Sequence, residues 1–84
     1  MGLSNEHFDI VRECLATALE LEEAEVQLID RNTTAADVEK WKSLTHIKLI
    51  LELEGRFGLE FEDHEIVDLV SIESILQTVE NKKR

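Results

Sequence analysis

Phe8, Val11, Cys14, Leu15, Ala18 and Leu19 recur at three- and four-residue steps, the spacing of one face of an α-helix. The same spacing returns in Leu49, Ile50, Leu53 and Phe57, and again in Ile72, Ile75, Leu76 and Val79. Strand signals are weak. The β-branched residues are scattered, hairpin dipeptides such as Asn-Gly are absent, and the chain has three glycines and no proline. These features predict an all-α fold, a four-helix bundle of three longer helices and one short third helix. At 84 residues there is room for one core. Residues 1–84 are therefore read as a single domain, with a folded core over about 5–80 and a short basic tail at 81–84.

Ser4 or Asn5 is the expected N-cap of the first helix. Cys14 lies at the edge of that helix's apolar stripe and reads as a small core residue. As the only cysteine it leaves no intramolecular disulfide and no multi-cysteine metal site. Residues 20–42 form a long connection, with Val26, Leu28 and Ile29 expected in the core and Asn32, Thr33 and Thr34 in a turn. A calcium-loop alignment starting at Asp30 fails, because Ala35 falls where the loop needs Gly and Trp41 where it needs a bidentate Glu. The second helix is expected over about Leu44 to Phe57, with Ser43 as N-cap and Gly58 as its stop. Ile66 to Val70 reads as the short third helix, starting as early as Asp63. Ser71 then caps the fourth, and Lys82, Lys83 and Arg84 bring positive charge to its last turn.

Nineteen Asp and Glu against nine Lys and Arg give a formal charge of −10. Such a balance argues against nucleic acid, whose phosphates are met by clustered Lys and Arg, and against an anionic membrane surface. A chain 43% hydrophobic is also too apolar to be a solvated acidic tail. No apolar run approaches the roughly 18 residues of a membrane span. Acidic residues within the first twenty argue against a signal peptide, and Glu6 stands where an N-myristoylation motif needs Ser or Thr. His7, His46 and His64 are too far apart for a zinc pattern, so no metal is expected. The expectation is a cytoplasmic monomer.

The second helix carries two apolar faces at 100° per residue. Leu49, Ile50, Leu53 and Phe57 make the core stripe, whereas Leu44, Ile47 and Leu51 fall on another side. Either the short third helix covers Ile47, or the second stripe is a docking surface; cover for Leu44, beside the long loop, is harder to supply. Ser43 starts this helix, where free backbone N–H groups favour an anion such as phosphate. Its hydroxyl is placed either to carry a phosphodiester or to act as an ordinary N-cap. Ser43 and His46 are one helical turn apart and mimic a nucleophile–base pair, but no third group orients the imidazole and no glycine-rich turn supplies an oxyanion site. No catalytic residues are assigned, and an enzyme is not expected.

Over about residues 5–80 the chain resembles the acyl carrier proteins, the freestanding phosphopantetheine-binding family. The resemblance is carried by Ser43-Leu44 after Trp41, then Leu49, Leu53-Glu54, Phe57-Gly58, Glu60-Phe61, Asp63, Ile66, Leu69 and Ser71-Ile72, without gaps. It implies a four-helix bundle of the acyl-carrier type. It also implies that a phosphopantetheinyl transferase activates the Ser43 hydroxyl, which attacks the β-phosphorus of coenzyme A with magnesium assistance. The covalent 4′-phosphopantetheine would make the chain a phosphoprotein that holds acyl or aminoacyl groups as thioesters. Such a carrier shuttles them between loading and processing enzymes, in lipid or polyketide biosynthesis for example. The resemblance further places Leu44 and Leu51 against partner enzymes, Ile66 beside the arm, and Glu54 at an acidic position that attracts basic enzyme surfaces; Ile47 and Lys48 lie on the same recognition helix.

One departure concerns the transferase directly. Lys42 stands where the family carries Asp, replacing attraction to basic transferase residues with repulsion. Thr45, Lys48, Gly55 and Arg56 also fall at positions often acidic in fatty-acid carriers. Between Lys40 and Arg56 four cations face two carboxylates, a net +2, so the rest of the chain holds −12. Two readings follow: a working carrier whose transferase and partners differ electrostatically, or an unmodified carrier-like interaction module.

Overall fold

The computed structural model of the chain describes residues 2–83, with side chains from residue 6 onward. Five α-helices follow one another: α1 (Gly2–Leu19), α2 (Glu23–Gln27), α3 (Ser43–Phe57), α4 (Asp63–Ile66) and α5 (Ile72–Lys82). A 3₁₀ turn at Ala35–Asp37 lies between α2 and α3. Among the described residues the only β pairing is an isolated bridge between Thr34 and Ser71. The architecture is a small all-helical bundle, in which α1 packs chiefly on α3 and also on α5. Its radius of gyration, 11.6 Å, matches the roughly 12 Å expected for one compact domain of this length.

The predicted core stripes pack together. Val11, Cys14, Leu15, Ala18 and Leu19 from α1 meet Leu49, Ile50, Leu53 and Phe57 from α3 and Ile72, Ile75, Leu76 and Val79 from α5. Burying a Leu such as Leu15, Leu49 or Leu53 completely contributes about 2–3 kcal/mol each. Phe8 is partly buried against this core, and two guanidiniums lie over its ring, Arg12 at 5.3 Å and Arg31 at 5.6 Å.

Helix ends differ from expectation in several places. The backbone is already helical at Gly2, so Ser4 and Asn5 lie inside α1 and not at its N-cap position. At its other end Glu20 adopts a left-handed backbone (φ 54°), and the Leu21 N–H reaches back to the Ala16 carbonyl at 3.0 Å. This is a Schellman ending without its usual glycine. Gly58 closes α3 in the same left-handed region (φ 67°), as the sequence predicts. The short helix α4 occupies Asp63–Ile66, starting at the earlier of the two positions the sequence offered but ending before Val70. Glu62 explains the start, since its N–H is met by the Glu65 carboxylate at 2.8 Å, which begins the helix there. Ser71 caps α5 as predicted, its Oγ accepting from the Ser74 N–H at 3.0 Å.

The connection over 20–42 is more structured than the sequence suggested. It holds α2 and the 3₁₀ turn, and Ile29 and Thr33 are buried. Leu28 does not tuck in: it is 81% exposed, and Val26 is half-buried. The loop is tied to the start of α5 by two backbone bonds. The Ala35 N–H donates to the Val70 carbonyl (2.7 Å), and the Ile72 N–H to the Thr33 carbonyl (2.9 Å). At the C-terminal end, Lys82 closes α5 and pairs with Glu65 at 3.0 Å. Lys83 donates to the Phe57 carbonyl at 3.0 Å, so its charge serves the end of α3. Arg84 lies outside the described residues.

Candidate functional site

The segment entering α3 is fixed by its own hydrogen bonds. The Thr45 hydroxyl accepts from the Lys42 N–H at 2.8 Å and donates to the Lys40 carbonyl at 2.6 Å. The His46 N–H makes the first helical bond, to the Lys42 carbonyl at 2.7 Å. The cap residue is therefore Lys42, with extended backbone, and Ser43 is the first residue of the helix. This corrects the expectation of Ser43 as N-cap: the cap lies one residue earlier, and the Thr45 hydroxyl, one turn on, satisfies the N–H of that cap residue. Ser43 is exposed, and its Oγ bonds to no group among the described residues. It stands beside the free N–H groups of the first turn, where an anion is favoured.

Trp41 and His46 build the wall behind it. The indole N–H of buried Trp41 donates to His46 Nδ1 at 3.0 Å, with the rings stacked 6.2 Å apart. Indole is only a donor, so Nδ1 is unprotonated and the ring proton sits on Nε2. Nε2 in turn donates to the Ile66 carbonyl at 2.9 Å, fastening α4 to α3. Both imidazole nitrogens are thus committed to the fold, and Ser43 and His46 do not form a nucleophile–base pair. Trp41, Lys42, Ser43, His46, Ala35 and Val70 line a cleft of about 320 Å³. Ala35 and Val70 meet there through the loop-to-α5 bridge, a non-local pairing with no signal in the sequence. The bridging role of His46 did have one, because a Trp five residues away needs an acceptor if it is buried.

The second apolar stripe of α3 is open. Leu44 is 73% exposed, Ile47 53% and Leu51 64%, so α4 leaves Ile47 largely uncovered. Ile66 is half-buried against the core, and exposed Lys48, one turn after Leu44 and one before Leu51, edges the open face. Glu54 is half-buried, with its Oε2 accepting from the Phe61 N–H at 2.9 Å. That bond holds the chain as it leaves Gly58.

The cations of this segment separate into two groups. Lys40 reaches Glu25 Oε1 at 3.0 Å and the Glu20 carbonyl at 3.3 Å, and Arg56 pairs with Glu13 at 2.8 Å. Lys42 and Lys48 make no ion pair among the described residues, and both are exposed. No cluster of three or more His, Cys, Asp or Glu among the described residues is placed to hold a metal ion. Nor is any helix among them long and apolar enough to cross a membrane.

No protein-family model matches this chain, and no curated protein matches it.

Proposed function

We propose that the chain is a carrier protein of the acyl-carrier type, modified on Ser43. The observation that carries this reading is the Ser43 hydroxyl, exposed and without a hydrogen-bond partner among the described residues, at the first turn of α3 next to a cleft walled by Trp41, Ala35 and Val70. The residues there suit 4′-phosphopantetheine. The free N–H groups of the helix start and the Lys42 ammonium favour a phosphodiester on Ser43, and the cleft offers apolar wall to an arm. When attached, the arm supplies a thiol that holds an acyl or aminoacyl group as a thioester. The chain itself would make no bonds. Ser43 would be the attachment point, and Lys42, Leu44, Ile47, Lys48, Leu51, Glu54 and Ile66 the residues met by the transferase and by the loading and processing enzymes.

The second reading, an unmodified interaction module of the same shape, is favoured by one observation, Lys42. A transferase built for acidic carriers meets repulsion there. Modification with coenzyme A is therefore expected from a broad-specificity transferase, and only weakly from one dedicated to acidic fatty-acid carriers. Lys42→Asp should restore the second. If neither enzyme modifies the chain while Lys42→Asp is modified by both, the module reading stands instead.

A further inference from the structure

The open face of α3 is built from residues at helical spacing: Leu44, Ile47, Lys48 and Leu51, with Lys42 just before the first. These three large apolar side chains lie on one strip of surface and each stays more than half exposed, so they form an apolar ridge. Its charge says what kind of occupant fits. The two cations of the segment that could have been neutral bystanders, Lys40 and Arg56, are paired with Glu25 and Glu13 on other elements. The two that flank the ridge, Lys42 and Lys48, are unpaired among the described residues. The pattern is selective: in a chain of −10, with nineteen carboxylates, the two lysines beside the exposed leucines are left without one.

We infer that this face docks a protein partner that offers an apolar helix face flanked by carboxylates, which meet Lys42 and Lys48 while that face packs on Leu44, Ile47 and Leu51. The inference rests on the reading of α3 as the partner-facing helix and gives that partner its charge. The sign is opposite to the one the net charge of the chain would select, because a protein of −10 attracts basic surfaces at long range. Near contact the local pair decides, since beyond about 8–10 Å salt screens the rest. An anionic lipid surface shares the sign of such a partner but extends under the whole molecule, where the remaining −12 repels it.

The test uses two synthetic amphipathic helical peptides, identical in their leucine face. One carries glutamates on both flanks of that face, and its twin carries lysines. Methyl NMR of Leu44, Ile47 and Leu51 reads docking on the whole chain. The glutamate peptide should shift these methyls at concentrations at least fivefold below its twin at low salt, a preference that shrinks as salt rises. In Lys42→Glu/Lys48→Glu the preference should reverse, and in Lys42→Gln/Lys48→Gln it should vanish; both pairs are exposed, and circular dichroism checks that each variant folds. A preference for the lysine peptide, or no movement of these methyls with either, overturns the inference. So does movement on simple concentration of the chain, which would make a second copy the occupant, or tighter binding to phosphatidylserine vesicles than to the glutamate peptide. The titration is repeated on Ser43→Ala. Preserved glutamate preference there, with no adduct on the parent chain, refutes the carrier reading alone. An adduct on Ser43 with lysine preference refutes this inference alone.

Discussion

Trp41 donates its indole N–H to His46 Nδ1 at 3.0 Å, and the far side of the same imidazole holds the Ile66 carbonyl at 2.9 Å. One side chain thereby joins the end of the long loop, the first turn of α3 and the end of α4. His46→Ala leaves a buried indole donor without a partner and frees α4. It is expected to cost about 1–3 kcal/mol and to change the emission of Trp41, the only tryptophan. Urea unfolding followed by fluorescence and by circular dichroism measures both. An unchanged midpoint would show that the bridge contributes nothing.

The two left-handed positions among the described residues make opposite predictions. Gly58→Ala forces a Cβ into φ 67° and should destabilise by about 1–2 kcal/mol, although nothing lies within 4 Å of the added atom. Glu20→Gly removes the same strain from φ 54° and should stabilise by up to about 1 kcal/mol, the Lys40 bond to the Glu20 carbonyl being retained. Gly55, inside α3 with open space around it, should gain about 1 kcal/mol as Ala. Denaturant midpoints of the three variants check the signs.

Acid should weaken the fold through two short helices. Glu25 is held below the ordinary carboxylate range by the Glu22 N–H and then by Lys40, and Glu65 by the Glu62 N–H and then by Lys82. A carboxylate whose folded value is depressed gives stability that is present above its unfolded value and lost as pH falls through the folded one. Stability should therefore drop below about pH 4.5, with a shallower fall in Lys40→Met/Lys82→Met. Midpoints between pH 6 and pH 3 test this; identical slopes in parent and variant would contradict it.

Cys14 gives the alkaline counterpart. Burial pushes its thiol from 9.0 up to about 11, which keeps it protonated. A raised folded value means stability that is complete below 9 and lost as pH rises towards 11. At pH 8 the thiol should resist alkylation in the folded chain and react at once in urea. Rapid labelling under native conditions would place Cys14 outside the core.

Much of this was legible along the chain. The stripes on α1, α3 and α5 predicted their partners because each is repeated at helical spacing, and Ser71 and Gly58 end helices by local chemistry alone. The open stripe of Leu44, Ile47 and Leu51 was also visible, since one helix rarely needs two apolar faces. What escaped depended on distant groups. Leu28 reads as core by composition but lies past the end of α2, facing solvent. Ser43 reads as a cap, and only the extended backbone of Lys42, whose carbonyl takes the first helical bond, shows that the cap lies one residue earlier. The +2 count over residues 40–56 likewise could not say which cations were already paired with Glu13 and Glu25.

The central claim is that Ser43 carries the arm. Intact mass after incubation with coenzyme A, magnesium and a broad-specificity transferase tests it most directly. The chain should gain the mass of one phosphopantetheine, and Ser43→Ala should gain none. An adduct that survives Ser43→Ala, or a parent chain that stays unmodified, would contradict it.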